Sequence, residues 1–202
     1  MTAHRPVVDC DNPRVTTPDS PTPDVSVRTA WPADAEALAG VQVRAWRESY
    51  AGLLPAEVLG DLDAKAIAER WRRSMAKPGD ARNRVLVALE RASLRGFAVT
   101  GPSPDPDADP VADGEVVELV VDPASRGAGH GSRLLQACAD TLLADRFTHA
   151  RAWVTSTDDE GRAFLTSAGW GPDGAHRELD LHGDASVLVK QVRLHTDLGD
   201  GS

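Results

Sequence analysis

The chain has 202 residues, 41% of them hydrophobic, with 22 basic against 31 acidic residues and a formal net charge of -9. That length supports one compact domain with its own core and is short for two. The acidic balance argues against a nucleic-acid-binding surface and mildly favours cationic or amine partners.

Residues 1–24 carry Pro6, Pro13, Pro18, Pro21 and Pro23 among Asp, Asn, Ser and Thr. That composition predicts a disordered tail, because it offers too little apolar surface to offset the entropy of ordering. Val25 to Arg28 is the first expected strand. Pro32 opens a helix towards Glu48, with Asp34 and Glu36 favourably placed in its first turn. A second helical region covers Pro55 to about Met75, broken near Gly60 and restarted by Asp63 as N-cap. Arg84–Glu90 and Leu94–Thr100 read as a hairpin, followed by an acidic, proline-spaced loop from Gly101 to Gly114. Strands at Glu115–Val121, Ala150–Val154, Ala175–Leu181 and Ser186–Leu194 complete the pattern, with helices at about 129–146 and 159–168. The expectation is an α+β domain over residues 25–195 with a predominantly antiparallel, mixed central sheet of about seven strands, then a flexible C-terminal tail over 196–202.

No stretch approaches the roughly 18 apolar residues of a membrane span, and the N-terminus lacks the apolar run of a signal peptide. Cys10 and Cys138 give no disulfide framework. A soluble cytoplasmic protein with no membrane partner is expected.

The most informative segment runs from Val120-Val121-Asp122-Pro123 through Arg126-Gly127-Ala128-Gly129-His130-Gly131-Ser132-Arg133 into an amphipathic stretch. Glycines let backbone N–H groups approach a ligand, and the helix that follows aims unsatisfied donors at the same point, so the segment reads as an anion cradle. It is not a Walker loop, which ends in Gly-Lys-Ser/Thr, nor a dinucleotide fingerprint, since Ser132 occupies the last glycine place. What remains is Arg-x-x-Gly-x-Gly over Arg126, Gly129 and Gly131.

This motif resembles the acyl-CoA-binding loop of the GNAT superfamily of N-acetyltransferases. Trp153-Val154, Asp158 to Leu165 and Ser167-Ala168-Gly169-Trp170 are similar to that family's second motif, and Val41, Ala45, Trp46, Tyr50 and Gly52-Leu53-Leu54-Pro55 to its first-helix segment. The resemblance covers roughly Val25 to His195. It implies the GNAT fold, with strands four and five splayed around the cofactor. It also implies acetyl-CoA as co-substrate and acetyl transfer to a small-molecule or peptide primary amine by direct attack in a ternary complex. A non-catalytic acyl-CoA sensor is the alternative, and a homodimer is compatible with either.

The resemblance places the cofactor on the main chain of Leu119, Val120 and Val121, on the loop Arg126, Gly127, Ala128, Gly129, His130, Gly131 and Ser132, and near Asp158. His130 reads more readily as an exposed loop histidine than as a phosphate contact. Glu115, six residues before Val121, stands where the resemblance implies a catalytic glutamate and is the candidate general base; its pleat face is expected to be shared with Val117, Leu119 and Val121, with Glu118 pointing the opposite way as the weaker candidate. Leu165 stands where many members carry a tyrosine acid. Tyr50, the only tyrosine, is assigned to substrate contact together with Trp46, ahead of a role as the acid. Trp71 and Trp153 are further candidates for the acceptor cleft. The histidines show no metal-ligand spacing, so no metal is expected, and Cys138 reads as a core thiol.

Overall fold

The structure, a computed structural model, describes residues 24–180 and 187–199. The predicted tail before Asp24, the end of one predicted strand at Leu181, the start of the next at Ser186, and Cys10 and His182 lie outside the described residues.

Seven strands form one sheet: β1 (Val25–Thr29), β2 (Arg84–Glu90), β3 (Ser93–Pro102), β4 (Asp113–Val121), β5 (His149–Thr155), β6 (Gly171–Asp180) and β7 (Leu188–Asp197). Their order is β1-β2-β3-β4-β5-β7-β6. Every neighbouring pair is antiparallel except β4 and β5. This is the expected mixed α+β sheet. β7 runs three residues past its predicted end at Leu194 and carries the chain to Asp197.

Among the described residues, five α-helices cover the two faces: α1 (Ala35–Ser49), α2 (Ala56–Gly60), α3 (Ala64–Ala76), α4 (His130–Ala144) and α5 (Asp159–Ser167). The predicted break at Gly60 and restart at Asp63 are present, and the Asp63 carboxylate caps α3 by accepting from the N–H groups of Lys65 and Ala66 at 2.8 and 3.3 Å. None of these helices is long and apolar enough to cross a membrane.

Strand alternation sorts the core into two layers. Leu86, Ala88 and Ala98 meet Leu134, Leu135, Cys138 and Leu142 of α4, with Leu165 of α5 in the same cluster. Val87 and Phe97 face the other way onto Leu38 and Val41 of α1, with Trp71 and Met75 of α3 beside them. Cys138 is a buried core thiol, and burial pushes it up to about 12, which leaves no thiolate for chemistry near neutral pH.

One irregularity in β4 corrects the expected face pattern. Val99 pairs with Glu118 but Thr100 pairs with Val116, so Val117 is the extra residue of a β-bulge. Alternation changes phase there. Val116, not Val117, joins Leu119 and Val121 in the α4 layer, whereas Val120 packs in the α1 layer. Glu115 and Glu118, expected on opposite faces, therefore fall on the same face.

The acidic segment between β3 and β4 is folded down by ion pairs. Asp105 and Asp107 accept from the buried Arg193 guanidinium at 3.0 and 2.7 Å, and Asp173 holds the same group at 2.7 Å. Arg151 bridges Asp107 and Asp113, and Trp153 donates its indole N–H to Asp105 at 3.0 Å. Its aspartates answer arginines supplied by β5 and β7.

Candidate active site

The parallel pair β4 and β5 is hydrogen-bonded only over Asp113–Glu115 and His149–Arg151. Beyond that the strands part, and main-chain groups of β4 on the β5 side are released from pairing. A cavity of about 860 Å³ occupies the opening. It is lined at one end by the loop after β4 and at the other by α1, the bulge and β5, with Leu119, Val120 and Val121 between them.

The loop end carries the anion cradle. Gly127 and Gly129 adopt φ of +76° and +79°, a conformation that side chains disfavour. Gly129 is the N-cap of α4 and, having no side chain, makes no side-chain capping bond, so the first N–H groups of the helix are left for a ligand. Of the expected loop residues, Arg126, Gly127, Gly129, His130, Gly131 and Ser132 line the cavity, as does Asp158; Ala128 does not. His130 is not an exposed loop residue as expected: it begins α4 and is 2% exposed. Asp158 is the N-cap of α5, accepting from the Gly161 N–H at 2.8 Å. Arg126 is ion-paired with Glu48 of α1. Arg133, not singled out in the sequence, reaches back over the loop to the Ala128 carbonyl at 3.1 Å. These features suit a diphosphate: paired glycines, unclaimed amides and an arginine held only by an exposed carboxylate.

The two glutamates separate at the other end. Glu115 is 3% exposed, accepts from the Ser103 hydroxyl at 3.0 Å, and does not line the cavity. Glu118 does line it. Both side chains now point to the α1 face, as Val120 does, but Glu115 pairs with Arg151 where β4 and β5 are still joined, whereas Glu118 lies where they have parted. Trp46 donates its indole N–H to the Glu118 carboxylate at 3.2 Å. Gln42, buried at 6% exposure, supplies a second donor. The amide of Gln42 is oriented by Trp71, whose indole N–H takes the amide oxygen at 2.9 Å and leaves the NH₂ for the carboxylate. Burial raises the Glu118 carboxyl above its ordinary value, against the pull of the Trp46 and Gln42 donors.

Trp46 and Tyr50 line the cavity together, ring centroids 6.2 Å apart and nearly perpendicular. Burial, and then the Glu118 charge, raise the Tyr50 phenol, which therefore stays protonated through neutral pH. Trp153 also lines the cavity. Trp71 instead packs edge-on against Phe97 at 5.4 Å and acts only through Gln42. Leu165 is in the lining and 7% exposed. Gln42 escaped the sequence reading although a signal existed: it is a polar residue on the stripe of α1 that also buries Leu38 and Ala45.

Residues 43–170 match the Acetyltransferase (GNAT) family. An uncharacterised N-acetyltransferase of Bacillus subtilis (strain 168), YuaI, is 30% identical over 131 residues, 64% of this chain and 71% of the relative. Among solved structures, yncA from Salmonella typhimurium, determined with its cofactor acetyl-CoA, superposes with a TM-score of 0.65 at 19% identity, covering 88% of this chain and 96% of that one. The PaiA N-acetyltransferase of Thermoplasma acidophilum, in complex with coenzyme A, gives 0.61 at 16% identity, over 86% and 98%. A ribosomal-protein-alanine N-acetyltransferase of Brucella melitensis gives 0.64 at 20%, over 85% and 99%. With the family match spanning more than half of a chain whose strands part above a glycine cradle, this protein belongs to the GNAT family of acetyltransferases.

Proposed function

We propose that the protein transfers acetyl from acetyl-CoA to a primary amine by direct attack in a ternary complex, with Glu118 as general base. The observation that carries this reading is the placement of a half-buried carboxylate, Glu118, in the same cavity as the glycine cradle. A strand rises about 3.3 Å per residue, so Glu118 stands roughly 10 Å up the opening from Val121, which suits an extended arm held on β4 main chain between cradle and base.

The chain's own groups then have separate tasks. The loop amides and Arg126 bind the diphosphate. Unpaired β4 backbone groups hold the arm in line with the base. Glu118, made more basic by burial, first takes the ammonium proton, directly or through water, and the freed amine lone pair then forms the N–C bond as the C–S bond breaks and the nitrogen loses its second proton to solvent. The leaving thiolate is protonated by water, since Leu165 has no proton to give, and Tyr50 contacts the acceptor. Leu165 also motivates the rival reading, an acyl-CoA sensor without turnover.

The deciding experiment follows free thiol with acetyl-CoA and a panel of primary amines. Amine-dependent thiol release, with intersecting initial-velocity lines in the two substrates, is expected. Acetyl-CoA binding without thiol release from any amine would establish the sensor.

A further inference from the structure

The acceptor end of the cavity has a distinctive inventory of charge. Its walls are Trp46, Tyr50, Leu53, Val117 and Trp153. Leu53 and Val117 remain 43% and 54% exposed, apolar surface that a bound molecule would cover. The polar groups there are the Ser49 hydroxyl, the Tyr50 phenol, Glu118 and Gln191. No lysine lines the cavity, and its only arginine is Arg126 at the loop end.

The arginines surrounding that end are already engaged. Arg44 is held by Asp122. Arg47 donates to the carbonyls of Leu59 and Gly60. Arg151 and Arg193 belong to the Asp105, Asp107, Asp113 and Asp173 network. Arg177 lies 3.8 Å from the Asp105 carboxylate, donates to the Gln191 side-chain oxygen at 2.8 Å and stands 4.2 Å above the Trp153 ring. Lys190, next to Gln191 on β7, projects from the other face of that strand.

We infer that the acceptor is a primary amine on an apolar or aromatic body, with no carboxylate or phosphate beside the amine, because the walls that would hold it offer aromatic surface and a carboxylate but, among the described residues, no uncommitted cation. The inference rests on the acetyl-transfer reading and narrows it. An α-amino acid presenting its amine to Glu118 would bring its own carboxylate against that group. It would then lose hydration without gaining a partner, or draw an arginine away from a buried aspartate. An amine on a flat apolar body instead covers Leu53 and Val117 and offers Glu118 a counter-charge.

The test compares amines that differ only in that carboxylate: tryptamine against tryptophan and phenethylamine against phenylalanine, by acetyl-CoA-dependent thiol release. The decarboxylated member of each pair is expected to have a kcat/KM at least about 100-fold higher, as for a site that leaves a buried polar group unpaired in the wrong substrate. Val117→Arg, which adds a cation to the acceptor wall, should narrow that ratio by about tenfold. Equal rates within a pair, a preference for the amino acid, or turnover of neither while acetyl-CoA still raises the melting temperature would overturn the inference. Failure of acetyl-CoA to bind at all would overturn the acetyl-transfer reading beneath it as well.

Discussion

Replacing Glu118 with Gln keeps the side chain's shape and its oxygen for the Trp46 and Gln42 donors but removes the site of proton uptake. General-base catalysis by a positioned side chain is worth about 10²–10⁴-fold, so turnover should fall by on the order of 10² or more. Acetyl-CoA affinity, set at the cradle and along β4, should be unchanged by calorimetry. The stability effect has the opposite sign. The folded-state pKa of Glu118 is raised above its unfolded value, so the folded chain holds this proton more tightly; the resulting stability is fully present below the unfolded pKa and lost as pH rises through the folded one. At neutral pH the wild type therefore carries a desolvated charge that Glu118→Gln removes, and the variant should melt higher than wild type at pH 7 but not at pH 4. Glu115→Gln is the internal control: Glu115 faces Ser103 outside the cavity, and turnover should stay within a few-fold of wild type. Wild-type turnover in Glu118→Gln, or a loss of 10² or more in Glu115→Gln instead, would refute the assignment drawn from the bulge.

Gln42→Leu removes one donor from the Glu118 carboxylate, so the acid limb of kcat/KM should move to higher pH; Trp71→Phe, which frees the Gln42 amide to turn, should move it the same way and by less. An unmoved limb in both would detach that relay from the base. Gly129→Val should abolish measurable acetyl-CoA binding while the fold persists by circular dichroism, because φ of +79° disfavours a branched side chain and the new methyls would crowd the cradle; near-normal affinity would remove the cradle assignment. Tyr50→Phe should raise the acceptor KM and leave the high-pH limb in place, whereas loss of an ionisation there would make Tyr50 the acid. Arg193→Met should lower the melting temperature by several degrees, since it strands Asp105 without its principal cation, and an unchanged melting curve would show the acidic segment to be held by other means.

The cradle was legible in the sequence because its physics is local: a strand end, glycines at positive φ and a helix start all lie within Asp122 to Gly131. The Asp63 cap and the hairpin at Arg91, where φ is +54°, were legible for the same reason. The exchange of Glu115 for Glu118 in the cavity lining was not, and the obstacle is specific. Simple alternation along β4 puts Glu115 with Leu119 and Val121 and turns Glu118 away. A single inserted residue, Val117, brings Glu115 onto the face that Glu118 already shares with Val120, yet a bulge is set by how β3 pairs with β4, with Thr100 opposite Val116 and Val99 opposite Glu118. Nothing in Glu115-Val116-Val117-Glu118 taken alone distinguishes a bulged strand from a straight one, since valine suits either. The same limit hid the acidic segment's role, because Asp105 finds Arg193 across 88 residues. Proline spacing predicts an open loop only while its aspartates have no partners in view. Wherever a residue's task depends on the phase of a strand relative to its neighbour, the chemistry of the site is written in the pairing: at Val117 it turns Glu115 to the α1 face, and beyond the last β4–β5 pair it leaves Glu118 to line the cavity.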